Sequence, residues 1–195
     1  MKDIQSVVRR CQQGHLEAFT TLFNQYQSRI YDLATAILRD TVEAEDVVQD
    51  TFLAVFQKID SYKGESRFDT WLTAIAVNQC RMRLRKKKLR NILSLEQLAP
   101  NRLFRLAGHR DTIAEIVHQR QRRQTLWDMV DQLNDRLRLP IILRYRYALA
   151  CSDIAIILNQ RKSTTYQQLN EGRRHLEKMI QQQEAEFQAT FVEGQ

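Results

Sequence analysis

Apolar residues recur every three or four positions along most of this 195-residue chain, and residues that interrupt helices are scarce. Between residues 16 and 38, for example, they recur at Leu16, Phe19, Leu22 and Phe23, which predicts an amphipathic helix with one buried face. The chain holds only five glycines and two prolines, and alternating strand-like runs are hard to find. The sequence therefore predicts an all-α protein.

The predicted helices group into two small domains joined by a flexible linker. The first domain covers residues 1–90, with a loop at 60–68, and residues 91–110 form the linker because their periodicity is weak. Residues 111–182 form the second domain, and 183–195 a polar, frayed tail. Within the second domain, a short helix near 152–158, a four-residue turn and a longer helix outline a helix-turn-helix.

Pro140 leaves two positions open for the start of the helix that precedes this motif. A proline removes one backbone hydrogen bond and can bend a helix. The helix therefore starts either at Pro140 itself or at Asn134 with a tolerated bend.

Motif spacing argues against several classes of protein. Cys11, Cys80 and Cys151 lie far apart in no CxxC or CxxH spacing, which disfavours a disulfide framework or a zinc site and suits a reducing cytoplasm. The four histidines stand alone, and there is no glycine-rich phosphate loop or nucleophile elbow. No run of about 18 apolar residues is present. We expect a cytoplasmic protein with no enzymatic activity, cofactor, metal or membrane insertion.

The net charge of +7 is concentrated in one short block. Residues 1–60 hold six basic and nine acidic side chains, whereas residues 61–90 hold nine basic and two acidic ones. A concentrated positive block indicates contact with a polyanion. On charge alone, a solvated basic helix end explains the block equally well.

Polar and aromatic residues just before the basic run favour single-stranded DNA as that polyanion. A loop around Gly64 can bend around an unstacked base, Trp71 offers a stacking ring, and the amide of Asn78 can read a base edge. The alternative places Trp71 and Phe68 in the core and leaves the cations solvated.

Asp46, Gln49 and Asp50 have helical spacing and share one face. Carboxylates near a helix start commonly serve as partners of the helix dipole, which is one explanation. In a protein that contacts DNA elsewhere, an acidic face is better suited to docking another protein.

The first domain resembles the extracytoplasmic-function group of bacterial sigma factors. The runs GHLEAF at 14–19, EDVVQDTF at 45–52 and YKGESRFDTWL at 62–72 are similar to successive motifs of that family. The resemblance implies that the second run docks on the clamp helices of the largest RNA polymerase subunit, and that the third captures a flipped base. It implies these polymerase contacts: Asp46, Gln49, Asp50 and Phe52. It implies these minus-ten DNA contacts: Lys63, Ser66, Arg67, Trp71, Asn78, Arg81 and Arg83.

The second domain resembles the same family less closely. The run LRLPIILRY at 137–145 is similar to the family's helix before its helix-turn-helix, which favours a start near Asn134. The recognition helix departs from the pattern, because Gln168, Asn170 and Glu171 stand where basic residues or histidine are usual. We expect weakened or unusual recognition of the minus-thirty-five element. The expected contacts there are Lys162, Ser163, Thr164, Gln167, Gln168 and Arg173.

The resemblance implies a non-catalytic sigma factor whose partners are core RNA polymerase, promoter DNA as duplex and melted strand, and an anti-sigma factor. Two alternatives stay open. A free-standing helix-turn-helix regulator would bind duplex DNA without polymerase. A polymerase-docking adaptor would retain the first domain's function and have degenerate promoter recognition.

Overall fold

The computed structural model describes residues 4–93 and 125–192, and these are helical with short connections. The chain divides into two compact units, one built from the helices before residue 94 and the other chiefly from those after residue 124. The predicted all-α class is confirmed for the described residues. Residues 94–124, which include most of the predicted linker and the predicted start of the second domain, lie outside the described ranges.

Four helices form the first unit, and their bounds follow the apolar periodicity closely. They are α1 (Ile4–Gln12), α2 (Leu16–Leu38), α3 (Thr41–Lys58) and α4 (Phe68–Leu93), with a 3₁₀ turn at Ile59–Ser61 after α3. The side chain of Asp40 caps α3 by accepting hydrogen bonds from the backbone N–H groups of Val42 and Glu43, both at 3.1 Å. Such a cap satisfies amides that have no partner inside the helix.

The core of the first unit lies between α2, α3 and α4, which pack on one another. Leu22 and Ile30 on α2, Val47 on α3 and Leu72 on α4 are each at most 1% exposed. Phe56, which the periodicity assigns to the buried face of α3, is instead 56% exposed. Apolar spacing cannot distinguish a core position from the edge of a helical face.

The second unit contains a helical segment at 125–132, which we label α5, followed by α6 (Asp135–Ile141), α7 (Cys151–Leu158) and α8 (Lys162–Val192). Asn134 caps α6 through a hydrogen bond from the backbone N–H of Leu137. The helix thus starts after Asn134, and Pro140 lies inside it. After Pro140 the backbone continues as a π-helical turn over Ile142–Arg146.

The last helix is longer than the sequence predicts. Its pattern predicts an end near residue 179 followed by a frayed tail, whereas α8 continues to Val192, so residues 183–192 are helical. Gln, Glu and Ala dominate this extension, and their high helix propensity explains why a stretch without apolar periodicity stays helical. None of the described helices is long and apolar enough to cross a lipid bilayer.

Candidate polymerase-docking and DNA-binding surfaces

One exposed face of α3 combines acidic, amide and apolar side chains. We call these five residues the α3 stripe: Val42, Asp46, Gln49, Leu53 and Phe56. Their helical spacing places them in one line. Val42, Leu53 and Phe56 are 70%, 60% and 56% exposed, which is unusual for large apolar side chains of one helix face. Aligned exposed apolar residues of this kind mark surfaces that bind other proteins.

Aromatic pairs hold the end of the α3 stripe against α2. The ring of Phe56 lies 4.9 Å from that of Phe19, and the ring of Phe52 lies 4.9 Å from that of Phe23. Phe52 is therefore half-buried between the two helices, and Phe56 presents one side of its ring to solvent. The family resemblance implies Phe52 as a docking residue, whereas the exposed residues Leu53 and Phe56 were not among the predicted contacts. Their spacing from Asp46 and Gln49 could have identified them.

The loop between α3 and α4 is held by contacts at both of its ends. The side-chain amide of Gln12 donates to the carbonyl oxygens of Ile59 and Tyr62, both at 3.0 Å. The hydroxyl of Tyr62 then donates to the carbonyl of Ser66 at 2.8 Å, which closes the loop on itself. At its tip, Gly64 adopts a φ of +78°, a conformation that glycine adopts without strain. The loop is therefore preorganised.

Aromatic rings pack beneath this loop at the start of α4. Tyr62, Phe68 and Trp71 form a cluster with ring centroids 5.3–5.7 Å apart. Phe68 is 2% exposed and belongs to the core, whereas Trp71 remains partly accessible. The interpretation that places both rings in the core therefore holds for Phe68, whereas Trp71 lies at the surface beside the loop.

Asp69 ties the start of α4 to α2. Its carboxylate accepts a hydrogen bond from the Tyr26 hydroxyl at 2.6 Å and lies 3.5 Å from Arg29 and 3.3 Å from Arg67. Burial of Tyr26, together with its hydrogen bond to the Asp69 carboxylate, raises the pKa of this phenol well above its usual range. Tyr26 thus remains a donor throughout physiological pH and anchors the helix that carries the loop.

The outer part of α4 carries the positive charge of the first unit. Asn78 is exposed one turn before the first arginine, Arg81 is partly exposed, and residues 85–88 are an exposed run of one arginine and three lysines. Arg83 differs from its neighbours, because its side chain is 19% exposed and pairs with carboxylates of α3. The positive charge that α4 exposes to solvent therefore comes mainly from Arg81 and residues 85–88, and not from Arg83.

In the second unit, α7, a short turn and α8 form the helix-turn-helix outline. The side-chain amide of Gln160 in the turn donates to Thr165 Oγ1 at 2.9 Å and to Gln168 Oε1 at 2.7 Å. Thr165 and Gln168 are 0% and 7% exposed, so this polar network is buried. On the opposite face of α8, an exposed line contains Ser163, Tyr166, Gln167, Asn170 and Arg174.

Comparisons with known proteins agree with this geometry. Residues 22–90, which span α2 to α4, match the model for sigma-70 region 2. The chain is 31% identical over 182 residues to the ECF RNA polymerase sigma-E factor of Haemophilus influenzae, covering 91% of this chain and 95% of that protein. It is 28% identical over 180 residues to the ECF RNA polymerase sigma factor SigW of Bacillus subtilis, covering 91% of this chain and 96% of that protein.

The chain belongs to the extracytoplasmic-function (ECF) family of sigma factors. Solved structures agree at the level of the fold. The sigma factor RpoE of Bartonella quintana, solved with the anti-sigma factor NepR, is 20% identical with a TM-score of 0.65, covering 84% of this chain and 96% of that chain. CnrH, solved with the cytosolic domain of CnrY, is 18% identical with a TM-score of 0.65, covering 92% of this chain and 98% of that chain.

The predicted minus-ten residues of this sigma factor lie on the loop and on α4, and most of them are at least partly accessible. Lys63 and Arg67 are exposed on the loop, Ser66 is half-buried beside Trp71, and Asn78 lies on α4. Arg83 is the exception, since its guanidinium is engaged with α3.

In the second unit of the sigma factor, Lys162, Ser163, Gln167 and Arg173 are exposed, and Thr164 is half-buried. Gln168 does not reach the surface, which corrects its assignment as a duplex contact. A buried polar side chain needs an internal partner, and Gln160 supplies it. No cluster of three histidine, cysteine or acidic side chains suited to a metal occurs in the part of the chain that the structure describes.

Proposed function

We propose that this ECF sigma factor binds core RNA polymerase, directs it to promoters of a specialised set of genes and helps to open the DNA there, without catalytic chemistry of its own. The observation that carries the proposal is the placement of three distinct surfaces on one four-helix unit. They are the exposed α3 stripe, the preorganised loop and the cationic outer part of α4.

The α3 stripe is the polymerase-docking surface. Leu53 and Phe56 supply the apolar area that is removed from water on binding, while Asp46 and Gln49 supply charge and hydrogen bonding at its edge. Interfaces commonly combine a few apolar or aromatic anchors with a polar rim that sets orientation. Phe52 supports this surface from below through its contact with Phe23.

The loop and α4 hold the non-template strand of the minus-ten element. A base that leaves the duplex stacks beside Trp71, and Lys63 and Ser66 offer polar contacts to its edge. Asn78 reads a neighbouring base, while Arg81 and residues 85–88 follow the phosphates. Unstacking costs a few kcal/mol per base, which these contacts offset.

The second unit reads the upstream duplex through α8. Gln167 and Asn170 are exposed amides on the face opposite the buried network, and Lys162 and Arg173 are the nearby phosphate partners. Amide side chains can form paired hydrogen bonds with adenine in the major groove. With few cations on this helix, duplex binding depends strongly on attachment to polymerase.

We also propose that an anti-sigma factor regulates this protein in the cytoplasm, where polymerase and the chromosome are. The support is the family membership and the complex in which RpoE of Bartonella quintana was solved with the anti-sigma factor NepR.

The test mixes the purified full-length chain with core polymerase and promoter-containing genomic fragments, and then maps unpaired thymines and transcript starts. We expect a stable complex with core, unpaired thymines near minus ten, and defined start sites. Absence of core binding would contradict the sigma-factor proposal. Core binding without any opened promoter would favour a docking adaptor, and tight duplex binding by the chain alone would favour a free-standing regulator.

A further inference from the structure

The guanidinium of Arg83 reaches from α4 into the acidic side of α3. Its Nε lies 2.9 Å from Glu43 Oε2, and its Nη2 lies 2.8 Å from Asp50 Oδ2. Asp46 Oδ2 is 3.9 Å away. The three carboxylates follow one another along a single side of α3, so one cation from the DNA-binding helix faces all of them.

One positive charge cannot neutralise three carboxylates, and the guanidinium of Arg83 lies closer to two of them than to the third. Glu43 and Asp50 are within hydrogen-bonding distance of the guanidinium, whereas Asp46 is at the limit of an ion pair. The Asp46 side chain is also the most exposed of the three, at 57% compared with 38% for Glu43 and 43% for Asp50. Asp46 is therefore the carboxylate best able to bind a group from outside.

The ion pairs keep Arg83 charged although its side chain is largely buried. Burial by itself lowers the pKa of the guanidinium, but the hydrogen bond to Asp50 and the charges of Asp50, Glu43 and Asp46 outweigh burial, so the pKa is raised. The planar group donates from separate nitrogens to Glu43 and Asp50 at once, which a single ammonium cannot reproduce with the same geometry.

We infer that Arg83 is a positioning residue of the polymerase-docking surface rather than a phosphate contact. By holding Glu43 and Asp50 against α4, it leaves Asp46 as the carboxylate that pairs with a cationic side chain of the polymerase. This inference rests on the proposed docking through the α3 stripe, of which Asp46 is a member. It also couples the docking helix α3 to the DNA-binding helix α4 through one side chain.

The test measures the Kd of full-length variants for core polymerase over a range of salt concentrations. Asp46→Asn is expected to weaken binding about tenfold and to reduce its salt dependence, since it removes an interfacial charge pair. Asp50→Asn is expected to change the Kd less than about threefold, because its carboxylate is already paired with Arg83. Equal weakening by both substitutions, with unchanged thermal unfolding, would overturn the inference.

Arg83→Met provides the second measurement. It is expected to reduce the additional effect of Asp46→Asn on the Kd, since Glu43 and Asp50 are then released to pair with the same polymerase cation. Arg83→Lys should restore part of the Asp46→Asn effect. Arg9→Met, a matched loss of an exposed arginine on α1, should leave the Kd unchanged.

A purely structural role of Arg83 would lower thermal stability but leave the Asp46→Asn effect the same in both backgrounds, which would overturn the inference. If Arg83→Met does not fold, the inference is still tested by Arg83→Lys and by the Asp46 and Asp50 variants. A failure of the underlying docking proposal would give a different result from a failure of this inference. In that case Leu53→Ala and Phe56→Ala would leave the Kd unchanged, as would Asp46→Asn.

Discussion

At the scale of single residues, the shape of the loop between α3 and α4 depends on the backbone of Gly64. Its φ of +78° lies in the left-handed region, and no heavy atom lies within 4 Å of the position that a Cβ would occupy. A side chain there meets open space, so any cost of substitution comes from the backbone alone. For a residue other than glycine or asparagine this cost is roughly 1–2 kcal/mol.

Gly64→Ala should therefore reduce promoter opening while leaving polymerase binding intact, because it shifts the loop away from its preorganised shape. Gly64→Asn should lose less, since asparagine tolerates this conformation better. Reactivity of unpaired thymines with permanganate measures opening, and a polymerase-binding assay is the control. Equal opening by the Ala and Asn variants would contradict the dependence on φ.

Gln168 and Asn170 lie two positions apart on α8 and should respond differently to truncation. Gln168→Ala removes an acceptor from the buried network with Gln160 and should lower the free energy of unfolding by about 1 kcal/mol without changing the preferred upstream sequence. Asn170→Ala should change that preference with little effect on stability.

Selection from a randomised upstream library by the reconstituted holoenzyme, together with thermal unfolding, separates the two effects. A changed base preference in the Gln168 variant, at unchanged stability, would indicate that Gln168 contacts the DNA and would contradict its role in the buried network.

At the scale of elements, the second unit depends on the close approach of α8 to α6. A Cβ on Gly172 would lie 2.9 Å from Cγ1 and 3.1 Å from Cδ1 of Ile141, which is 1% exposed. The two helices are thus as close as the missing side chain permits. The ion pair between Arg136 and Glu171, at 2.6 Å, lies beside this crossing but is exposed and contributes little.

Gly172→Ala should lower the free energy of unfolding by about 1–3 kcal/mol through overpacking. Ile141→Ala alone should also destabilise the unit, by leaving a cavity. In the double variant the two costs should be less than additive, because truncating Ile141 removes the atoms that the new methyl group meets. Chemical denaturation of the four proteins measures this, and strict additivity would show that the helices separate instead.

At the scale of the whole molecule, alkaline pH should destabilise the protein through the buried thiol of Cys80. Burial raises the pKa of this thiol from 9.0 to about 12, despite the opposing charge of Arg83. Between these values the folded state retains a proton that the unfolded chain releases. The free energy of unfolding is therefore unaffected below pH 9 and falls as the pH rises above it.

Urea denaturation at pH 8 and at pH 10 should reveal this decline, and Cys80→Ala should reduce it. Cys151→Ala, which removes a less buried thiol, is the matched control. An equal decline in both variants would assign the alkaline sensitivity to other groups.

The local sequence by itself determined the all-α class, most of the helices and the family, because these follow from apolar periodicity and long ungapped motifs. The bounds of α2 agree with the apolar pattern between residues 16 and 38, and Asn134 caps α6 at the start that the resemblance favours. The position of Pro140 inside α6 also agrees with the helix start near Asn134 that the resemblance favours.

Only the tertiary structure decided which polar side chains are available to partners. Arg83 and Gln168 have the same chemistry as exposed neighbours, yet each has an internal partner that lies on another helix or in a turn. Conversely, Phe56 follows the apolar period of α3 but lies at the edge of the packed face. Exposure depends on what other segments place against a residue, and a local pattern contains no information about those segments.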